Sequence, residues 1–319
     1  MKPEVTVIIP NYNGRELLKN CIKTLEKQTF RDFILLIVDN GSTDESSKLV
    51  SECLDLRWIK LNENKGFCGA VNIGIQNTET PYFILLNNDT EADKDFVKEL
   101  LLAIKKSERI FSCGAQMLDY RQRELLDNAG DCYTALGWAV ARGKGKPAER
   151  YAKACSVFSA CAGAAIYRTD VARQIGLLDE MHFAYLEDVD LGYRARIYGF
   201  FNRYAPAAKV YHLGSATTGT RYNEKKVFLA ARNSIFLVYK NMPMAQILLN
   251  VPFLFVGILL KSLFFLKKGL AREYIRGICE GLTQKRKCKK VKFRMENLGN
   301  YMVIQIELWM NILRIALSK

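Results

Sequence analysis

The first hundred residues alternate two hydrophobic periods, and that alternation constrains the fold more than any other feature of the chain. Short apolar runs at residues 5–9, 33–38, 58–61 and 82–86 have the length of buried strands. Amphipathic stretches lie between them at residues 16–27, 44–54 and 67–77, and another at 94–107 follows the fourth run; each reads as a helix. Repeated strand and helix units predict a mainly parallel sheet covered by helices on both faces. In such sheets ligands collect at the carboxyl ends of strands. Polar clusters follow three of the four runs, as Pro10-Asn-Tyr-Asn13, Asp39-Asn-Gly-Ser-Thr-Asp44 and Asn87-Asn-Asp-Thr90.

After Ile110 the pattern loosens. Residues 110–117, 155–167 and 208–211 read as strands separated by long loops, and one helix starts near Glu187 and ends before Gly199. From Lys225 onward nearly everything reads helical. The expected organisation is an α/β catalytic domain over residues 1–240, with a nucleotide-binding half (1–107) and an acceptor-binding half (108–240), then a helical membrane-associated tail over 241–319. With 49% apolar and 25% charged residues, disorder is excluded as the main state. Nine scattered cysteines without a C-x-x-C pair argue for reduced thiols rather than a disulfide framework or structural zinc.

Charge is concentrated in the tail. Residues 241–319 carry fourteen Lys/Arg against four Glu, hence ten of the fourteen net positive charges. Residues 242–260 hold no charge at all, and Lys261, Lys267 and Lys268 then bracket residues 263–266. An apolar helix beside clustered basic residues suits an anionic membrane surface. A full span takes about 20 apolar residues, and here Pro243, Gln246, Asn250 and Pro252 interrupt the stretch. The expectation is a peripheral or monotopic attachment at the cytoplasmic face of the membrane; failing that, the tail would be a homo-oligomer interface.

The chemistry-bearing groups are acids and amides at strand ends. Asp39 sits where a nucleobase imide could reach it, although Asp39-Asn40-Gly41-Ser42 is also an ordinary turn. Asn87, Asn88 and Asp89 present three oxygen-bearing side chains after a buried strand, the ligand chemistry of Mg²⁺ or Mn²⁺. In Glu187-Asp188-Val189-Asp190-Leu191, helical spacing places Asp188 with Leu191, Ala195 and Tyr198 and turns Asp190 away. An inward carboxylate can serve as a general base, whereas acids in a first helical turn also answer the helix dipole. The chain has only two histidines, His182 and His212; the second ends an apolar stretch, where core packing competes with metal ligation. No G-x-G-x-x-G follows the first strand and no P-loop motif occurs.

Val7-Ile-Ile-Pro-Asn-Tyr-Asn13, Val38-Asp-Asn-Gly-Ser-Thr-Asp44, Asn64-Lys-Gly-Phe67 with Ala70 and Asn72, residues 85–90, and Tyr185-Leu-Glu-Asp-Val-Asp-Leu191 form an ordered set. The set resembles the family 2 glycosyltransferases of the GT-A (Rossmann-like) fold, and within them the bacterial rhamnosyltransferase-like subgroup, over about residues 4–240. The resemblance implies inverting transfer of a sugar from a nucleotide diphosphate, dTDP-rhamnose or a UDP-sugar, to an acceptor hydroxyl. It implies nucleotide-sugar contacts at Pro10, Tyr12, Asp39, Asn64, Asn87, Asn88 and Arg232, a divalent cation (Mg²⁺ or Mn²⁺) on Asp89 and His212, and Asp188 as catalytic base. Asn87 replaces the first acid of the family's Asp-x-Asp, and no Gln-x-x-Arg-Trp of processive synthases is present. The basic apolar tail points to a lipid-linked saccharide acceptor in cell-surface glycan synthesis.

Two other classes fit less well. Nucleic-acid binding needs basic and aromatic residues interleaved over a folded face, whereas the charge here flanks an apolar helix; no nucleic-acid partner is expected. A sugar-nucleotide-forming nucleotidyltransferase needs a glycine-rich basic loop for triphosphate after the first strand, and Pro10-Asn-Tyr-Asn-Gly14 offers one glycine.

Overall fold

The computed structural model describes residues 3–214 and 222–317. The four apolar runs become strands because each is flanked by polar turn residues; residues 5–9, 33–38 and 82–86 are buried on both faces, whereas 58–61 lie half-buried at the sheet edge. The first hundred residues form β1 (Val5–Asn11), α1 (Arg15–Leu25), β2 (Phe33–Asp39), β3 (Asp55–Lys60), α2 (Gly66–Gln76), β4 (Tyr82–Leu86), β5 (Thr90–Ala92) and α3 (Phe96–Ile104). There follow β6 (Ile110–Asp119), β7 (Leu126–Asn128), β8 (Asp131–Tyr133), β9 (Ala139–Ala141), β10 (Cys155–Val157), β11 (Ala164–Arg168), α4 (Thr169–Ile175), α5 (Glu187–Ile197) and β12 (Phe201–His212). Four long helices complete the chain: α6 (Glu224–Asn241), α7 (Met244–Lys267), α8 (Ala271–Gln284) and α9 (Leu298–Leu317).

The main sheet runs β10-β12-β6-β11-β4-β1-β2-β3. Strands β1 to β4 pair in parallel, and β11 inserts antiparallel between β4 and β6. Successive residues of a strand face opposite layers. Val7 and Ile9 accordingly pack with Leu18, Ile22 and Phe96 of α1 and α3, while Ile8 packs with Val71, Val171 and Leu191 of α2, α4 and α5. The result is the expected α/β sandwich, with Asn11 and Asp39 in register at one rim.

Three elements differ from the sequence expectation. Residues 44–54 make only a 3-10 turn at Ser46–Lys48: the Asp44 carboxylate accepts from the backbone of Arg15 and Ser46, and Glu45 is left-handed, so local side-chain bonding displaces helix. Residues 155–167 split into β10 and β11 rather than one strand. Finally, α7 runs without interruption through Pro252. Pro243 occupies its N-cap, where proline removes no helical bond.

The polar residues of α7 face protein. Gln246 accepts from the Tyr193 hydroxyl at 3.1 Å, and Asn250 exchanges two amide bonds with Gln305 of α9, at 2.8 and 2.9 Å. At Gly257 a Cβ would come within 2.1 Å of the Leu136 carbonyl, so only glycine lets α7 approach that loop so closely. The Gly257 carbonyl in turn accepts from Trp138 Nε1. Helix α9 folds back onto α5 and β8: Leu308, Ile304 and Tyr301 share a core with Tyr133, Phe158, Tyr193 and Leu237, and Arg196 pairs with Glu307. Residues beyond 241 therefore complete the core around α5 while leaving their outer faces apolar and exposed. Phe255 on α7 is 67% exposed and Met302 on α9 60%.

Candidate active site

The rim of the sheet collects the polar clusters because three parallel strands end there. Asp39 is buried with one long contact, from Asn11 Nδ2 at 3.5 Å, which leaves most of its acceptor capacity open. Pro10 lies in β1 opposite Val38, and Tyr12 just beyond is exposed. Asn87 keeps its side-chain amide free of partners among the described residues, while its backbone N–H donates to Gly163.

Three predicted donor contacts are committed elsewhere. Asn88 donates to Asn11 Oδ1 at 2.8 Å in a buried pair. Asn64 Oδ1 accepts from Asn40 Nδ2 and from the Gly66 N–H, closing the turn into α2. Arg232 donates to the carbonyls of Met181 and His182, and none of its partners belongs to a strand end. Buried amides and carbonyls take the nearest partner, and here the scaffold supplies it.

Asp89 and His212 do meet. The imidazole Nε2 lies 3.2 Å from Asp89 Oδ1, and Nδ1 lies 2.8 Å from Asp127 Oδ2. Burial opposes the imidazolium, yet the hydrogen bonds to Asp127 and Asp89 outweigh it and raise His212 to about 9. A carboxylate fixing one ring nitrogen while the other faces a second carboxylate is the support that a metal-bound imidazole requires. The donor set of Asp89 oxygen and His212 nitrogen suits a divalent cation.

Asp188 opens α5. Its Oδ2 accepts from the Ala162 N–H at 3.1 Å and its Oδ1 from Val189. No Lys or Arg pairs with it among the described residues. The ligand atoms of Asp131, Cys161 and Asp188 lie within 4.8 Å of one another. Burial raises Asp188, and burial together with the charge of Asp188 holds Asp131 well above the usual carboxylate range. Burial and Asp188 likewise push Glu187 up to about 8. Burial also raises the Cys161 thiol well above its ordinary value.

The expectation that Asp190 turns away is overturned. Asp190 is fully buried and bonded by Arg194 at 2.8 and 3.0 Å, Lys240 at 2.9 Å and Asn241 at 2.8 Å. Helix α5 is covered by α6 and α9 as well as by the sheet, so it has no solvent face for Asp190 to occupy.

The two acid sites share one edge. Ala162 N–H binds Asp188 while the adjacent Gly163 carbonyl binds Asn87. In parallel, Asp127 holds His212 and Asp131, four residues on, neighbours Asp188. The loop before α5 is held open for this: Phe183, Tyr185 and Leu186 have φ of +61°, +74° and +66°, a costly conformation outside glycine. Asn233 Nδ2 clamps it through the carbonyls of His182, Ala184 and Tyr185 at 2.8 to 2.9 Å. Gly66, at φ +74°, gives way to this loop, since a Cβ there would lie 2.6 Å from the Phe183 ring. His182 packs edge-on to Phe236 with neither ring nitrogen bonded, the core role rather than a ligand role. Asp131 was not singled out by sequence; the turn at Gly130-Asp131 after β7 was its only trace.

With this geometry the sequence matches glycosyl transferase family 2 over residues 6–176, more than half of the chain. The chain belongs to glycosyl transferase family 2. Among related sequences, the teichoic acid poly(glycerol phosphate) polymerase of Staphylococcus epidermidis is 40% identical over 93 residues, covering 28% of this chain and 13% of that protein. The chain thus aligns with a minor part of the length of the curated relatives that it matches. Among solved structures, GalNAc-T7 with UDP, GalNAc and Mn²⁺ superposes with a TM-score of 0.60 at 16% identity, covering 74% of this chain and 48% of that one. The mannosyltransferase PcManGT of Pyrobaculum calidifontis, solved with GDP-Man and Mn²⁺, gives 0.58 at 12% identity and 88% coverage of both chains. These likenesses establish the GT-A-like fold of this family 2 member.

Proposed function

We propose that this family 2 protein is an inverting, divalent-cation-dependent glycosyltransferase. It moves a sugar from a nucleotide diphosphate, dTDP-rhamnose or a UDP-sugar, to a hydroxyl of a lipid-linked saccharide in cell-surface glycan synthesis. The observation that carries the reading is the pairing of two unlike acid sites across residues 162–163: Asp89 matched by an imidazole, Asp188 matched by no cation.

Asp188 takes the proton of the acceptor hydroxyl as that oxygen bonds to the anomeric carbon. The bond from that carbon to the diphosphate oxygen breaks with its electron pair leaving on the diphosphate, and configuration inverts. Desolvation suits Asp188 to the task by raising its basicity. Asp89 and His212 would hold the cation, which when bound offsets charge on the diphosphate. Asp39, Pro10 and Tyr12 would line the nucleoside end.

Attachment is proposed to be monotopic, at the cytoplasmic face. Helix α7 is long and apolar enough to cross a membrane by length and composition, but Gln246, Asn250 and Gly257 in its first half are held by Tyr193, by Gln305 of α9 and by Trp138. A helix so docked lies on a bilayer with its other face inserted. The test is nucleotide release from dTDP-rhamnose and the common UDP-sugars with Mg²⁺ or Mn²⁺ in the presence of membrane lipid. Release from one donor that stops with EDTA is expected. Full turnover in excess EDTA, or release from none, overturns the reading.

A further inference from the structure

A cavity of about 230 Å³ lies between α6, α7, α8 and the loop at Leu136–Trp138. Its walls are Ile235 and Val238 of α6, Leu254 and Ile258 of α7, Tyr274 of α8 and the Trp138 indole. Two cations, Lys261 and Lys285, also line it. Neither forms an ion pair among the described residues. Lys261 instead sits over the Trp138 ring at 5.8 Å, and Lys285 over Tyr239 at 5.9 Å, with Lys290 over the same ring at 4.9 Å. An aromatic face attracts an ammonium group but carries no net charge, so these cations still lack a counter-charge.

An apolar cavity gains by excluding water, and unmatched cations at its wall select an anion. Together they describe an amphiphile with a hydrocarbon chain and a charged head. Position narrows the choice further. Leu254 and Ile258 line the cavity while the residues next to them, Phe255 and Leu259, are exposed on the outer face of α7, so the cavity is one helix behind the proposed membrane-facing surface. Leu136 is five residues beyond Asp131, whose carboxylate neighbours Asp188. Five residues span at most ~18 Å, a distance that a short phosphate-linked saccharide can bridge.

We infer that this cavity holds the head-proximal part of a single-chain polyprenyl phosphate, the lipid of the acceptor, with its phosphate on Lys261 and Lys285. The inference rests on the reading of a lipid-linked acceptor and assigns that lipid a site. Bound there, the chain reaches toward the bilayer past α7, and the phosphate faces Lys261 and Lys285 at the cavity wall.

The experiment uses the full chain in phosphatidylcholine nanodiscs with diazirine-bearing geranylgeranyl phosphate, the matching alcohol, and excess phosphatidylglycerol as competitor. The phosphate should label peptides of α6, α7, α8 or residues 134–138 at least fivefold more than the alcohol does, and phosphatidylglycerol should not displace it. Ile258→Trp, which fills the cavity, should lower labelling at least fivefold; Lys261→Gln should bring the phosphate down to the level of the alcohol. If Ile258→Trp does not fold by circular dichroism, Leu254→Phe serves in its place. Equal labelling of wild type and the filled variant, labelling confined to the exposed faces of α7 and α9, or displacement by phosphatidylglycerol overturns the inference. Donor turnover with water or a soluble sugar acceptor is measured in parallel. Retained turnover without cavity labelling defeats this site alone, whereas labelling without turnover of any nucleotide sugar defeats the transferase reading instead.

Discussion

Asp188 and Asp190 stand two residues apart at the start of one helix, the first half-buried and the second fully buried, and their surroundings differ in every respect that matters electrostatically. Around Asp188 are Glu187, Asp131 and backbone N–H groups, with no paired cation among the described residues. Around Asp190 are Arg194, Lys240 and Asn241. Burial pushes both carboxyls up; Arg194 and Lys240 reverse that for Asp190 and hold it far below the carboxylate range, whereas Asp188 stays raised. A buried acid with two cations is a strut, whereas a half-buried acid without one has the basicity that the proposed proton transfer needs. Neighbours, rather than residue type or position in the helix, make the division.

The sharpest way to break this contrast is to amidate each acid in turn. Asp188→Asn removes the proton acceptor at constant shape, so kcat should fall at least ~10³-fold, about 4 kcal/mol, with donor Kd and melting temperature nearly unchanged. Loss of donor affinity together with stability would make Asp188 a structural residue like its neighbour. Asp190→Asn should do the reverse. Leaving Arg194 and Lys240 without their carboxylate costs about 3 to 5 kcal/mol, read as a lower urea midpoint. Because its folded pKa is depressed, the stability Asp190 contributes is present above the ordinary value of 3.8 and is lost as pH falls below it; the variant should lack that acid-side loss.

Asp89 tests the third environment, an acid matched by an imidazole. Asp89→Ala should lower turnover about 10²-fold, or ~2.7 kcal/mol, and leave little further effect for EDTA. If EDTA still abolishes the residual rate in that variant, the cation is held elsewhere. The smallest effect is expected at Glu187, raised to about 8 and therefore protonated at pH 7. Glu187→Gln should keep kcat within about fivefold, roughly 1 kcal/mol. Between 4.5 and about 8 the folded protein holds a proton that the unfolded chain releases, so stability falls as pH rises through that window. The variant should flatten that fall in a series of melts; an unchanged slope would show that Glu187 ionises freely.

Sequence alone carried the sheet and its rim. Residues 82–86 are a strand at the expected bounds, and Asp39, Asn87 and Asp89 stand at strand ends because apolar runs and the turn residues after them are local signals. What failed was whatever depends on packing from afar. The helical spacing that turned Asp190 outward assumes one buried face, and α5 has helices on the side where water was expected. Asp131 reaches Asp188 only through the β8–β9 hairpin. Arg232 and Asn233 bind carbonyls about fifty residues earlier, and backbone carbonyls leave no mark in a sequence. The turn at residues 44–48 was missed for the opposite reason, since one aspartate side chain outcompetes a weak helical period.

The return of α9 also sets a timetable for the newborn chain. Asn311 donates to the carbonyl of Tyr133, 178 residues earlier, and Ala135 N–H donates to Leu308. At about 5 to 20 residues per second, synthesis separates those partners by roughly 9 to 36 s. Throughout that interval Tyr133, Phe158 and Tyr193 have no cover from α9, so the nascent protein carries a greasy surface beneath α5 long after β1 to β4 have left the ribosome. The core around α5 therefore closes only once α9 has been made, and a ribosome stalled before residue 308 would display a fold that is nearly whole yet still sticky.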